Sequence, residues 1–217
     1  DVAGTTDKKV TVHWNGEVVP VKSFEDYVNL YIGNKTETPR VYKKLNDRCD
    51  LCVAFKPDDE YRQISVVNGI ETYLGGEHVE SLVGQTVRKV TAKLREKTKD
   101  LSIKPAYIKM KLWVFINITI ENPTFDSQCK GSLTLQPKEW GTKPVVDDDF
   151  IAKLAKTGLT KSVEKFAEHQ ASQKESKTDG TKKSRVRIPK LEDALWAGTS
   201  KSDQTELILC EGDSAKT

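Results

Sequence analysis

The 217-residue chain carries 35 Lys and Arg against 32 Asp and Glu, a formal net charge of +3, and 36% of its residues are hydrophobic. That length suits one large globular domain, or one domain plus pieces, with a sizeable core, and the mixed charge leaves the question of partners to local distribution. No window approaches the roughly 18 apolar residues that span a bilayer, and Asp1 has no apolar targeting segment behind it, so the start reads as a cut.

From Lys9 to Asn15, "KVTVHWN" alternates as a strand, and Asn15-Gly16 before "EVVPV" predicts a hairpin. "SFEDYVNLYI" predicts a helix with Ser23 as N-cap and Asp26 three positions on, its apolar face formed by Phe24, Tyr27, Val28 and Tyr31. A polar loop follows over 33–40, then strands over 50–56 and 61–68. After Gly75-Gly76, the spacing of Val79, Leu82, Val83, Val87, Val90 and Leu94 predicts a long amphipathic helix. "LWVFINITI" over 112–120 predicts a central strand with Val114, Ile116, Ile118 and Ile120 on one face. The turn-rich "ENPTFDSQCKGSL" is a loop, and the acidic run at Asp147 opens a helix carrying Phe150, Ile151 and Leu154. Thr157-Gly158 interrupts it, and a second helix from Leu159 carries Val163, Phe166 and Ala167. "ASQKESKTDGTKKSRVR" loses all periodicity and reads as an exposed linker. Beyond it, "LILCEGDSAKT" reads as a short buried strand ending in Glu211-Gly212-Asp213, in a segment too short to fold by itself.

Cysteine use is uninformative in a useful way. Four cysteines in a chain this long make no disulfide framework, and Cys49 with Cys52 has no second pair or nearby His to complete a zinc site. Strand alternation in "CDLCVAF" accounts for them. Of the sequons at Asn34 and Asn117, the second falls inside an apolar strand where no glycan could sit. An intracellular, reducing compartment is expected.

Three ordered motifs, "IPKLEDA", "AGT" and the terminal "EGDSA", resemble the entry to the TOPRIM domain of type II DNA topoisomerases. Upstream, "QISVVNGIETYLGGEHV" is similar to that family's transducer motif, and "ENPTFDSQCKGSLTLQPK" to its switch loop. The forms "FINITIENPTF" and "EGDSAKT" look eukaryotic or large-virus in type. The resemblance implies an α+β fold: a two-layer transducer domain resembling ribosomal protein S5 domain 2, a mixed sheet with helices on one face, over 1–172. A basic linker over 173–187 and a truncated TOPRIM α/β start over 188–217 would follow.

The activity implied is ATP-dependent passage of one DNA duplex through a transient double-strand break in another, with this part coupling ATP binding to the cleavage core. Lys130, with Gln128 assisting, would contact the terminal phosphate of ATP, while Cys129 stands where the family normally has Thr. Glu211 would be catalytic by binding Mg2+, a hard cation suited to carboxylate oxygen. Asp213 could do the same or merely satisfy backbone donors. Between Arg88 and Lys111 nine basic residues face two acidic ones, Glu96 and Asp100, a local excess of +7. Lys97, Lys99 and Lys104 match the location of a family loop facing double-stranded DNA, although a solvated helix end would explain the same charges. The resemblance further implies a homodimer in the intact enzyme, a nuclear location and no membrane. The rest of the ATP pocket and the cleavage tyrosine would lie outside the chain, leaving this fragment inactive alone. A free-standing basic nucleic-acid-binding module without ATP coupling is the alternative. A mismatch-repair or chaperone ATPase with the same transducer type would lack the "IPKLEDA" to "EGDSA" segment.

Overall fold

A computed structural model describes residues 1–58, 60–97, 103–169, 196 and 200–206. The backbone divides into two units, Asp1–His169 and Gln170–Thr217. In chain order the first unit holds α1 (Val2–Thr5), β1 (His13–Trp14), β2 (Glu17–Val18), α2 (Phe24–Ile32), β3 (Arg40–Asn46), β4 (Cys49–Phe55), β5 (Arg62–Val67), β6 (Ile70–Glu71), β7 (Gly75–Gly76), α3 (Glu77–Lys97), α4 (Pro105–Lys109), β8 (Leu112–Ile118), β9 (Ser132–Leu133) and α5 (Asp148–Leu154). Helical backbone resumes over 160–169 after a wide turn in which Gly158 takes φ 99°, the break expected at Thr157-Gly158.

Five strands form one mixed sheet in the order β3-β4-β8-β5-β6, with β8 parallel to β5 and antiparallel to β4. β8 is central because nearly every side chain along it is apolar and both of its faces are covered. Val114, Ile116 and Ile118 point to the side where Leu82, Val83 and Val87 of α3 and Phe150 and Leu154 of α5 complete the main core. All six residues expected on the apolar stripe of α3 are buried. At the rim of this core, Phe166 packs edge-on to Tyr107, their ring centres 4.8 Å apart.

The other face corrects one expectation. Helices were expected on one face of the sheet, but α2 covers the opposite one, burying Phe24, Tyr27, Val28 and Ile32 against Cys52, Ala54, Trp113 and Phe115. The physical reason is that β4 and β8 are apolar on both sides, so a single helical layer would leave a hydrophobic face wet. The start of α2 behaves as expected: Ser23 Oγ accepts from Asp26 N at 3.1 Å, and Asp26 Oδ2 accepts from Lys22 N. α5 is capped by Asp147, whose Oδ1 accepts from Phe150 N at 3.0 Å.

Cys49 and Cys52 lie on opposite faces of β4, so they cannot share a metal, and burial pushes both thiols up to about 12. Asn117 sits half-buried in β8 with its amide toward Asp50. Among the described residues no group of three His, Cys, Asp or Glu could hold a metal ion, and no helix is long and apolar enough to cross a membrane. In the second unit the described residues are Trp196 and 200–206, where Lys201 Nζ stands 5.1 Å over the Trp196 ring and Ser202–Gln204 form a 3-10 turn. The linker expected over 173–187 and the strand at Leu207 lie outside the described residues.

Candidate functional site

The loop between β8 and α5 folds back on itself as a hairpin. Thr134 N donates to Thr124 O at 2.9 Å, Phe125 bridges Leu133, and Asp126 N donates to Ser132 O while Asp126 Oδ1 accepts from Ser132 N. Its tip is a tight turn closed by Lys130 N donating to Ser127 O at 3.0 Å. Gln128 and Cys129 occupy the two corners, both exposed, and Lys130 takes the left-handed conformation, φ 55°. For a non-glycine residue that conformation carries a cost of about 1 kcal/mol, so the surrounding bonds hold Lys130 where it is. Its ammonium stands 5.9 Å over the Phe125 ring, half-buried.

What fixes the hairpin is the segment leading into α3. β7 pairs in parallel with β9, Leu74 N donates to Gly131 O at 2.9 Å, and the Tyr73 ring lies over Gly131. A Cβ on Gly131 would come within 2.9 Å of that ring, and one on Gly76 within 2.3 Å of Leu133 O. At Gly76 only a bare Cα lets two backbones meet, and at Gly131 it leaves room for the Tyr73 ring. Beneath them is a buried polar relay: Ser65 Oγ lies 2.6 Å from Thr72 Oγ1, which lies 3.2 Å from His78 Nε2. Burial lowers the His78 imidazole to about 4, so it is neutral at physiological pH. Gln63 Nε2 donates to Tyr73 O at 3.1 Å and ties the same segment to β5.

The other positions named from the sequence are placed separately. Lys104 is exposed at the start of α4, just after Ile103, whose carbonyl accepts from Arg95 Nη2 of α3 at 3.2 Å. Lys97 is the last residue of α3, described in its backbone alone, while Lys99 and Glu211 lie outside the described residues. The +7 excess between Arg88 and Lys111 is partly spent internally. Lys89 meets Asp148 at 2.6 Å, Lys109 meets Glu80 at 3.4 Å, and Lys111 is buried with its ammonium 5.3 Å over Phe166.

The structure thus joins Gln128 and Lys130 on one turn and keeps them apart from the basic end of α3. Sequence reasoning did not identify Tyr73, Gly76, Gly131 or the Ser65–Thr72–His78 relay as parts of this site. The Gly-Gly pair was the available signal, because paired glycines mark close backbone approach.

A family model described as DNA gyrase B matches residues 23–183, which include the hairpin, α3 and α4. The chain belongs to the DNA gyrase B family. Among gyrase B relatives, DNA topoisomerase 2 of Arabidopsis thaliana is 41% identical over 223 residues, covering 100% of this chain and 15% of that protein. DNA topoisomerase 2 of Drosophila melanogaster is 41% identical over 225 residues, with the same coverage of 100% and 15%. The chain therefore spans about one seventh of the length of these curated relatives. The ATPase and transducer domains of DNA topoisomerase II from Balamuthia mandrillaris superpose with a TM-score of 0.73 at 34% identity, over 78% of this chain and 42% of that one. The ATPase region of Saccharomyces cerevisiae topoisomerase II gives 0.68 at 32%, over 76% and 42%. The mixed sheet with its helices matches part of the fold of these topoisomerase II ATPase and transducer regions.

Proposed function

We propose that this chain is the transducer part, residues 1–172, and the beginning of the TOPRIM domain, residues 188–217, of an ATP-dependent type II DNA topoisomerase, joined by a basic linker at 173–187. The observation that carries the proposal is the seating of the Lys130 turn on the N-terminal end of α3 through β7 and β9. Lys130 offers an ammonium and Gln128 an amide on one tight turn, a pairing that suits the terminal phosphate of a nucleotide whose remaining pocket is supplied elsewhere. Any shift of that turn must move Gly131 to Leu133, and with them Gly75 and Gly76, because the two segments share backbone hydrogen bonds.

α3 then carries the shift. Its 21 residues span roughly 30 Å, from the hairpin to Lys97. There Lys97, Lys99 and Lys104 are the groups we assign to the phosphates of double-stranded DNA, contacts that are sequence-indifferent and salt-dependent. Glu211 is the residue we assign to Mg2+ at the cleavage site, on the chemistry of its carboxylate and the family resemblance of "EGDSA". Homodimerisation and a nuclear location are inferred with it. The alternative of a basic nucleic-acid module is weakened by the internal pairing of Lys89 and Lys109 and the burial of Lys111.

The test is Lys130→Ala in the full-length enzyme, assayed for ATP turnover and for magnesium-dependent plasmid cleavage on one preparation. Turnover should fall on the order of a hundredfold, the usual effect of removing one charge-stabilising donor, while cleavage is retained. Parental ATP turnover would remove Lys130 from the phosphate site. Equal loss of both activities would make it a structural residue.

A further inference from the structure

β3 is an edge strand: among the described residues its outer side pairs with no other strand. Phe55 N donates to Pro39 O at 3.3 Å, so 39 and 55 form a hydrogen-bonded pair. Antiparallel alternation then makes 41 with 53 and 43 with 51 the next such pairs, leaving N–H and C=O of Tyr42 and Lys44 on the open side. Alongside β3 runs a groove of about 490 Å3 whose other wall is Lys153, in the last turn of α5, with Lys156 and Thr157 just after it. Lys35, Pro39, Arg40, Val41 and Tyr42 complete its lining, and among the described residues no carboxylate lines it.

The charges in this groove are unequal in their commitments. Lys153 is held by Asp149 at 2.8 Å, and Lys43, farther along β3, by Asp147. Arg40 is buried, its terminal nitrogens donating to Gly33 O and Asn29 Oδ1, while its Nε, also buried, has no hydrogen-bond partner. Glu37, the carboxylate of the adjoining loop, is turned back to accept from Asn34 N. Lys35 is exposed at one wall and Lys156 stands at the other.

We propose that this groove binds an extended acidic peptide of a partner protein, added as a further strand on β3. The open edge supplies main-chain donors and acceptors at alternate residues, and Asp or Glu side chains on the incoming strand meet the exposed Lys35 and Lys156. Alternating main-chain pairing is what distinguishes a peptide from a nucleic-acid strand, which shares the negative charge but cannot continue the ladder.

The experiment uses the 217-residue chain and a fluorescein-labelled ten-residue peptide of alternating Glu and Val, with fluorescence anisotropy as readout. The peptide should bind in the micromolar range. Lys35→Glu with Lys156→Glu, checked for unchanged thermal unfolding, should weaken it at least tenfold. The same peptide N-methylated at alternate residues, on the set that faces β3, should lose binding, because it can no longer donate to the ladder. No binding of the parent peptide, equal binding of both N-methylated registers, or indifference to the double substitution would each overturn the proposal. So would a fluorescein-labelled ten-nucleotide oligothymidylate binding more tightly than the peptide.

Discussion

At the first turn of α3, His78 is fully buried, with Nε2 against Thr72 and, among the described residues, burial alone shifting its titration. Its usual value near 6.5 falls to about 4 because burial disfavours the imidazolium. The sign of the consequence follows from linkage: as pH drops through 6.5 the unfolded chain takes up a proton, while the folded chain holds His78 neutral down to about 4. The folded state therefore loses stability across that window, by about 3 kcal/mol in full, and keeps it above 6.5. His78→Gln lacks this titration. Urea unfolding of the two chains at pH 7 and pH 4.5 should show the parent falling by about 2 kcal/mol more than the variant. Equal pH dependence would mean that His78 titrates as freely when folded as when unfolded.

Two glycines of the same stretch bear opposite expectations, and the difference belongs to the elements that hold them. Gly76, at φ 121°, lies where β7 meets β9, and an added Cβ would sit 2.3 Å from Leu133 O. Gly84 is inside α3 with nothing within 4 Å of its added Cβ. Gly76→Ala should destabilise by about 1–3 kcal/mol through backbone strain and more through the clash, lowering Tm by several degrees at roughly 2–4 °C per kcal/mol for a chain this size. Gly84→Ala should raise Tm, by the roughly 1 kcal/mol that separates Ala from Gly in a helix. Calorimetry on the two variants checks both; a tolerated Gly76→Ala would mean that the hairpin is not seated on α3.

The legibility of each element in the sequence follows the same local-versus-distant distinction. α3, β8 and the caps of α2 and α5 were readable because periodicity and capping chemistry act within a few residues. β3 has no legible alternation, since "RVYKKLN" sets Lys43 and Lys44 side by side and so breaks the polar-apolar period of a strand. α4 has five residues, too few to show a period. The sheet face that α2 covers depends on pairing between β4 and β8, far apart in sequence. Within the site, Lys130 and Gln128 were reached through family resemblance, because a lysine in a turn has no local mark. Tyr73 over Gly131 and the β7–β9 pairing join segments some 60 residues apart in sequence, whereas the left-handed turn and the Ser65–Thr72–His78 relay are closer in sequence but show no periodicity by which to recognise them.

We propose that α3 links a phosphate-binding turn seated at its beginning to DNA-binding lysines near its end. Such a link would let DNA at the far end change the rate of ATP hydrolysis at the near end, since phosphate contacts report DNA without regard to its sequence. The most direct measurement is the ATPase rate of the full-length enzyme with and without plasmid DNA across a salt series, comparing the parent with the combined Lys97→Ala, Lys99→Ala and Lys104→Ala variant. DNA stimulation should fall several-fold, with a shallower dependence on salt as phosphate contacts are lost, and the basal rate should change far less. Parental stimulation with a parental salt slope would contradict the link, returning these lysines to the solvent and leaving α3 without a DNA end.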